Sequence, residues 1–195
     1  REPYMRKYLI LILGSMSILP VLGQSSAPKY SNEFLSIGIS ARALGMSNTV
    51  VASVNDVTGG YWNPAALTLI ESDIQLGVMH SEYFAGIAKY DYGSFAMALP
   101  EKNAAVGLSI IRFGVDDIPN TLYLVEADGS INYDNITAFS VADYAFLGSY
   151  AQQLKWHNLR VGGNIKVVHR EAGDFAMAWG FGLDAGAQLD LNNWK

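Results

Sequence analysis

Between residues 178 and 191 the chain alternates strictly between apolar residues and small or polar ones. One face of this stretch carries only apolar side chains: Trp179, Phe181, Leu183, Ala185, Ala187, Leu189 and Leu191. The other face carries mostly glycine, glutamine and aspartate. A period of two residues is typical of a strand whose faces meet different surroundings. Because strands in soluble proteins usually have about 5 to 6 residues, alternation over 14 positions predicts a sheet of unusually long strands.

The same alternation recurs over the last two thirds of the chain and predicts six antiparallel strands. Their predicted bounds are residues 73–80, 85–99, 104–115, 138–152, 159–170 and 178–191. The longer ones exceed the about 9 to 11 residues that a tilted strand needs to cross a bilayer. We therefore predict an all-β fold, a transmembrane antiparallel β-barrel of the outer membrane with its apolar faces against lipid. A soluble β-sandwich, in which each sheet has one hydrated face, is the alternative.

In one predicted strand, 85–99, the side chains change from charged to apolar near the middle. Lys89 and Asp91 come before Phe95 along the strand, and we expect a β-bulge at Gly93 to join the polar part to the apolar part. A turn at Gly93 is the alternative. Such a turn would place every later loop on the opposite side of the membrane.

The long connection between the third and fourth predicted strands, residues 116–137, is the candidate outside loop. Asp116 and Asp117 open it as a pair of solvated carboxylates, and Asp128 and Gly129 form the tip of a small hairpin within it. The connections 100–103 and 155–158 are short. Outer-membrane barrels have short periplasmic turns and longer outside loops, so residues 116–137 are predicted to lie outside the cell.

The first 23 residues have the layout of a secretory signal peptide. Arg6 and Lys7 precede an apolar stretch over residues 8–22, and small residues precede a predicted cut before Gln24. A buried N-terminal helix is the alternative. The sequence is therefore divided into a leader over 1–23, a poorly alternating segment over 24–70 and the strands over 71–195. Export to the outer membrane of a bacterium is the predicted localisation.

Composition argues against several classes of function. The chain has no Cys, which excludes disulfide scaffolds, Cys zinc sites, thiol nucleophiles and a lipidated Cys anchor. Its net charge is −5, whereas nucleic-acid binding needs clustered Lys and Arg. The three His residues lie far apart and match no metal-ligand spacing, so they are predicted to be loop or strand-end residues. We predict a protein that is not an enzyme and has neither cofactor nor metal.

Two motifs occupy the segment before the strands: FLSIGISARALGM and VNDVTGGYWNPAAL. With YDYGSFAMAL, DYAFLGSYAQQL and FGLDAGAQ further on, they resemble the PorV/PorQ proteins of Bacteroidetes, relatives of the FadL-type outer-membrane barrels. Ser47 stands where that family often has glycine, and Asn55 with Asp56 replaces a frequent Asp-Asp pair. The residues that carry the likeness to the family's plug are Gly38, Arg42, Gly45, Asp56, Tyr61, Trp62, Asn63, Pro64 and Ala65.

The resemblance implies that the N-terminal segment forms a plug inside a barrel of about fourteen strands. Six strands cannot close a barrel, for which about eight is the minimum, so we expect the chain to be the N-terminal part of a longer protein. The turn at Trp62, Asn63 and Pro64 is either a rigid start to the barrel or part of a gate.

The polar faces of the later strands are predicted to face the lumen of the barrel. The lumen-facing candidates are Asp143, Arg160, Asn164, Lys166, Arg170 and Asp184. We expect them to pair charges that hold barrel and plug together, with Lys166 and Arg170 facing Asp184 or Asp190; ligand binding is the alternative. Charged groups are tolerated in a polar lumen but not in lipid.

Two functions follow from the resemblance. The first is that of PorV, an outer-membrane component of type IX secretion that binds the C-terminal sorting domains of exported cargo. The second is that of FadL, a transporter of hydrophobic small molecules. The polar lumen candidates favour the first. The expected partners are outer-membrane lipid and either cargo with other type IX secretion components or hydrophobic small molecules, and no nucleic acid. A secreted soluble β protein is a third possibility.

Overall fold

A computed structural model of the chain describes residues 32–155 and 159–190. The predicted leader over 1–23 and its cleavage site lie outside the described residues. Six strands form one antiparallel sheet in chain order, so the all-β prediction is confirmed. They are β1 (Ile74–Tyr83), β2 (Ala88–Leu99), β3 (Ala104–Asn120), β4 (Thr137–Gln153), β5 (Leu159–Ala172) and β6 (Ala176–Leu189).

Strand β3 continues five residues beyond its predicted end because a bulge lies in it. The pairing of β3 with β4 shifts between Val115 and Ile118, and Asp117 has a φ of 57°. Ile118 then resumes pairing with Phe139. The prediction that Asp116 and Asp117 open the loop is therefore wrong: both lie in β3, because the bulge absorbs the change of phase and allows pairing to continue.

Strand β2 is a single strand, as expected, but it contains no bulge at Gly93. The register runs without a shift from Val78 through Gly93 to Ile110. The expected bulge was wrong because Lys89, Asp91 and Phe95 already share one face. That face changes from charged to apolar along the strand.

Most connections between the strands are tight. Phe84 and Ala85 have positive φ values of 55° and 57°, and with Gly86 they reverse the chain between β1 and β2. A 3₁₀ turn over Pro100–Lys102 joins β2 to β3. The connection 121–136 contains the predicted small hairpin, in which Val125 bridges Ile131, and a further 3₁₀ turn at Tyr133–Asn135 precedes β4.

Residues 32–70 form short helical turns that pack against one face of the sheet, which we call the packed face. The elements are a 3₁₀ turn at Glu33–Ser36, α1 (Ala41–Gly45), α2 (Gly59–Trp62) and a 3₁₀ turn at Pro64–Leu69. Across residues 32–155 and 159–190, every helix is too short to cross a membrane.

The core lies between this segment and the sheet. Ile39, Tyr90, Ile111 and Leu147 belong to one buried cluster, and Leu67 centres a second one. Ile39 and Leu67 are fully buried. Burial of a side chain of this size contributes about 1.5–3 kcal/mol. Packing of residues 32–70 on the sheet therefore stabilises both.

Candidate functional site

The turn at Asn63, Pro64 and Ala65 is held by hydrogen bonds within the N-terminal segment and to the sheet. The Asn63 Oδ1 atom accepts a hydrogen bond from the Ala65 N–H at 3.2 Å and so caps the 3₁₀ turn that Pro64 begins. The Asn63 side-chain amide donates to the carbonyls of Val51 at 3.1 Å and Ala187 at 3.4 Å. Asn63 therefore joins the turn to strand β6.

Two glycines in the sheet permit this close approach. A Cβ atom at Gly162 would lie 2.5 Å from the Ala65 nitrogen, and one at Gly186 would lie 2.3 Å from the Asn63 Oδ1. Both distances are shorter than a real Cβ contact, so each position must lack a side chain for the turn to dock.

The other motif residues have mixed surroundings. The Tyr61 hydroxyl donates to the Leu35 carbonyl, and the Trp62 indole N–H donates to Ile39 at 3.3 Å, so both tie α2 to the start of the segment. Burial raises the pKa of Tyr61. Asp56 accepts a hydrogen bond from the Thr58 N–H at 2.9 Å.

The two motif glycines and Arg42 make few contacts with the sheet. Gly38 has a φ of 96° and packs against Asn48, whereas a Cβ at Gly45 would meet nothing. Arg42 is exposed, and among the described residues it has no ion-pair partner. A shallow cavity is lined by both Arg42 and Asp56.

The six polar side chains expected on one face of the strands all lie on the packed face. Lys166 Nζ lies 2.9 Å from Asp184 Oδ2, and the Asn164 amide donates to the same oxygen at 3.0 Å and to the Gly60 carbonyl at 2.8 Å. Asn164 therefore links β5, β6 and α2. Whether this face lines a lumen remains a prediction.

Arg170 does not face Asp184 or Asp190 as expected. Its guanidinium forms a two-point contact with Asp143 on β4, in which Nη2 lies 2.8 Å from Oδ2 and Nε also donates to Oδ1. Asp143 and Arg170 are direct cross-strand neighbours, whereas the neighbour of Arg170 on β6 is Ala178. Register therefore decides the pairing.

The opposite face of the sheet, which we call the open face, carries an apolar band. Val78 is 91% exposed and Phe181 is 81% exposed. The band consists of three cross-strand rows: Val78, Gly93, Ile110, Phe146, Val167 and Phe181; Leu76, Phe95, Leu108, Gly148, Ile165 and Leu183; and Ile74, Met97, Val106, Tyr150, Gly163 and Ala185. Every member is apolar, aromatic or glycine.

A fourth row on the open face, which we call the border row, lies next to the apolar band across all six strands. Its members are His80, Asp91, Arg112, Tyr144, His169 and Trp179, each the direct partner of the next. His80 Nδ1 lies 2.6 Å from Asp91 Oδ1, and Arg112 Nη1 lies 3.6 Å from Asp91 Oδ2. The rings of His169 and Trp179 lie 4.2 Å apart.

No known family, curated protein or solved structure matches this chain.

The border row is the feature that the sequence reasoning missed. His80 and His169 were predicted to be loop or strand-end residues, but both lie within strands, and His157 lies outside the described residues. Aligning the predicted strands by hairpin register would have placed the charged and aromatic residues side by side. No single strand shows the row, because each strand contributes one residue to it.

The hairpin over residues 121–136 is exposed and apolar, with acidic groups around it. Its large exposed side chains are Leu122, Tyr123, Val125, Ile131 and Tyr133. Glu126 accepts hydrogen bonds from the side chains of Asn135 at 2.9 Å and Asn132 at 3.1 Å, which lower its pKa. Asp128 accepts from the hydroxyl and the N–H of Ser130, which lower its pKa. Gly129, with a φ of 85°, completes the tip.

Within the described ranges, no group of three or more His, Cys, Asp or Glu side chains is placed to hold a metal ion.

Proposed function

We propose that the sheet is part of the wall of an outer-membrane β-barrel, with lipid on its open face and residues 32–70 acting as a plug on its packed face. The observation that carries this proposal is the apolar band with the charged and aromatic border row beside it. Aromatic girdles next to an apolar belt are typical of barrel walls at the membrane interface. Each row lies about 6.8 Å from the next along a strand, because residues in antiparallel strands rise about 3.4 Å each.

The soluble alternative fits the two faces less well. A soluble sheet with one covered face leaves the other to water, and that hydrated face is polar. Here residues 32–70 cover one face, yet the open face is the more apolar of the two. Contiguous apolar patches larger than a few hundred Å² are rare on soluble monomers. A lipid environment removes this conflict.

We further propose that the protein acts as PorV does, binding the sorting domains of exported cargo for type IX secretion. The exposed hairpin at residues 121–136 supplies a surface of apolar side chains with Glu126, Asp128 and Asp134 beside them. A FadL-like transporter of hydrophobic molecules would need a continuous apolar path along the packed face. The Lys166–Asp184 and Asp143–Arg170 ion pairs interrupt such a path.

The membrane part of the proposal is tested by single spin labels. The sequence contains no Cys, so Ile165→Cys and Ala127→Cys can each be labelled alone in the protein reconstituted in lipid. Ile165 lies in the middle row of the band, and Ala127 is an exposed hairpin residue. The Ile165 label should collide with oxygen more than with a polar nickel complex, and the Ala127 label should do the reverse. Equal access of the nickel complex to both labels would contradict the proposal.

The secretion part is tested by purification from outer membranes of the source bacterium, followed by mass spectrometry. Exported proteins with C-terminal sorting domains should be recovered with the wild-type protein. Leu122→Ser combined with Tyr133→Ser should reduce their recovery at least fivefold, whereas Ala127→Ser should not. Absence of cargo, together with loss of uptake of a hydrophobic substrate in a deletion strain, would favour transport instead.

A further inference from the structure

Three connections between strands lie at one end of the sheet, because antiparallel strands in chain order turn back at alternate ends. They join β1 to β2, β3 to β4 and β5 to β6. With the strand ends beside them they comprise residues 84–87, 117–136 and 171–175, which we call the outer connections. Their large exposed apolar side chains are Phe84, Ile87, Leu122, Tyr123, Val125, Ile131, Tyr133 and Phe175. All three connections therefore expose apolar surface, which in proteins marks interaction sites.

One connection at the opposite end of the sheet has a different composition. Residues 100–103 include Glu101 and Lys102 and contain no aromatic or branched aliphatic residue. A tight connection in this sheet can therefore be polar. The apolar side chains of the outer connections are not a requirement of the fold.

The outer connections lie side by side. The ring of Phe175 lies 5.1 Å from the ring of Phe139, which follows the hairpin on β4. At the other side, Ala88 directly follows the first connection and pairs with Val115, two residues before the second begins. Six strands spaced by about 4.8 Å place all three connections within about 24 Å along the sheet. This width is close to that of an interface that covers about 800 Å² on each partner.

The outer connections are negative as well as apolar, because every charged residue in them is acidic. The six acidic residues, all exposed, are Asp117, Glu126, Asp128, Asp134, Glu171 and Asp174. Cations of the adjoining strands contact carboxylates within the strands instead: Lys89 and Arg112 contact Asp116, and Arg170 contacts Asp143. A partner that docks on the outer connections therefore meets carboxylates beside aromatic and aliphatic side chains.

This combination fits a protein partner better than a membrane surface. Membrane surfaces attract segments that are rich in Lys and Arg, because their lipid headgroups carry negative charge. A protein can supply the complement through Arg and Lys. Guanidinium groups form charge-assisted hydrogen bonds with carboxylates, and tyrosine rings attract cations through their faces. Aromatic residues and Arg are also enriched at protein interfaces.

We propose that the outer connections form one docking surface for a protein whose own surface presents Arg and Lys among apolar side chains. Phe84, Tyr123 and Tyr133 contact the apolar part of the partner, and the carboxylates bind its cations. The inference rests on the proposed secretion function and deepens it, since it names the chemistry of the cargo surface. It also extends the docking surface from the hairpin to all three connections.

The test uses the full chain in nanodiscs of phosphatidylcholine and two fluorescent peptides that differ only in charge. One peptide alternates Arg with Leu and Tyr, and the other has citrulline, an uncharged isostere, in place of each Arg. By fluorescence anisotropy the Arg peptide should bind at least tenfold more tightly at about 0.1 M salt. The difference should shrink at about 1 M salt, because the Debye length falls from about 10 Å to about 3 Å. Empty nanodiscs should bind neither peptide.

Neutralising carboxylates outside the hairpin tip tests whether the connections act together. Asp134→Asn, Glu171→Gln and Asp174→Asn, combined in one chain, change two of the connections and should weaken binding of the Arg peptide at least fivefold. All three side chains are exposed, so the substitutions should leave the fold intact. Binding of the citrulline peptide should change less than twofold.

A matched control removes three exposed carboxylates from the opposite end of the sheet. Glu71→Gln, Asp73→Asn and Glu101→Gln together should change the affinity of the Arg peptide less than twofold. Phe84→Ser with Ile87→Ser removes apolar surface without changing charge. This pair should weaken binding of both peptides to a similar extent.

Equal affinity for the two peptides, or equal effects of the two triple variants, would overturn the proposal. A fluorophore on Phe84→Cys, in a chain that otherwise has no Cys, separates a protein surface from a membrane surface. Its emission should respond to the Arg peptide and not to quenchers on the lipid. The reverse would assign the outer connections to the membrane and overturn the proposal.

Failure of the secretion function would look different. Binding of the Arg peptide, together with no recovery of sorting-domain proteins from outer membranes, would support the docking surface and contradict secretion. Recovery of such cargo that is unchanged by the Asp134→Asn, Glu171→Gln and Asp174→Asn variant would support secretion and overturn the docking surface.

Discussion

At the scale of single residues, Gly162 and Gly186 allow the N-terminal segment to dock because they have no Cβ atom. Both lie directly beneath the turn at Asn63 and Pro64, where any Cβ atom would overlap the turn. The glycines in the apolar band differ from them, because Gly93 and Gly148 have free space where a Cβ would be. The two groups of glycine should therefore respond differently to the same substitution.

Gly162→Ala and Gly186→Ala should each destabilise docking of residues 32–70 by about 1–3 kcal/mol, the usual cost of overpacking a tight site. Gly162→Ala should be the worse, since its Cβ would meet backbone atoms rather than a side chain. The measurement is the rate of proteolysis within residues 32–70 in the folded protein. Gly148→Ala is the control and should leave that rate unchanged; an equal effect in all three variants would contradict the docking geometry.

The sequence indicated the turn at Asn63 but not the long-range contacts of its side chain. The Asn-Pro motif predicted a turn, and the structure adds that the Asn63 amide reaches two carbonyls distant in sequence, those of Val51 and Ala187. The cap on the Ala65 N–H can be predicted from the local sequence, because donor and acceptor lie two residues apart. The bond to Ala187 spans 124 positions and depends on the register of β6, which no local pattern encodes.

Asn63→Asp should separate the two roles. The carboxylate still caps the turn through an oxygen but cannot donate to Val51 or Ala187. We expect a loss of about 1–3 kcal/mol in the free energy of unfolding, the cost of leaving buried groups without a partner. Asn63→Ala removes the cap as well and should cost more. Equal losses measured by chemical unfolding would show that the cap contributes nothing, and an unchanged stability of Asn63→Asp would show the same of the donated bonds.

At the scale of elements, the strands were predictable and their ends were not. Alternation identified all six strands because every strand has one packed and one open face. The end of β3 was missed because the bulge between Val115 and Ile118 reverses the alternation while pairing continues. A bulge was expected in β2 because its residues change from charged to apolar along the strand. Such a change on one face can be mistaken for a switch of the alternating pattern to the other face.

The hairpin element carries a pH dependence of known sign. Hydrogen bonds from Asn132 and Asn135 hold the pKa of Glu126 below its ordinary value. A carboxylate with a lowered pKa in the folded state stabilises that state above its ordinary pKa, and the contribution disappears as the pH falls through the lowered value. The hairpin should therefore loosen on acidification below the ordinary range of Glu126.

Resonances of the Asn132 and Asn135 side-chain amides, followed by NMR as the pH is lowered, measure this loosening directly. In wild type both should shift together with the titration of Glu126. In Glu126→Gln they should not follow that transition, because the amide does not titrate. A transition that persists in Glu126→Gln would have to be assigned to Asp128, whose pKa is also lowered.

At the scale of the whole molecule, the open face of the sheet tolerates a charged substitution at its border row better than in the middle of its apolar band. Ile165 and His169 lie on the same face of β5, Ile165 in the middle row of the apolar band and His169 in the border row. In a barrel wall, Ile165→Arg should cost about 2–4 kcal/mol and His169→Arg about 0–1 kcal/mol, since the penalty falls from the bilayer centre to the interface. Reversible unfolding in lipid measures both.

Equal stability of the two Arg variants would contradict a lipid-facing surface. Ile165 is 65% exposed, so Arg at this position would be harmless to a protein surrounded by water. If Ile165→Arg and His169→Arg were equally stable and the protein stayed dispersed without detergent, the open face would be a solvent-exposed surface. The proposed barrel wall would then be wrong.

The border row has a consequence for the slope of the sheet. Directly paired residues lie at right angles to the strands, and barrel strands tilt by about 35–45° from the barrel axis. Over five steps of about 4.8 Å, such a row would climb about 15 Å along the membrane normal. The chemistry of the row changes in the same direction: it is charged at His80, Asp91 and Arg112, and aromatic at Tyr144, His169 and Trp179.

At the start of β6 the exposed apolar side chains also continue past the row, through Met177 to Phe175, which directly precedes the strand. One end of the row would thus reach the aqueous boundary while the other stayed among the lipid headgroups. The change from ion-paired residues at β1 to the Trp179 indole at β6 would then follow from the tilt of the strands.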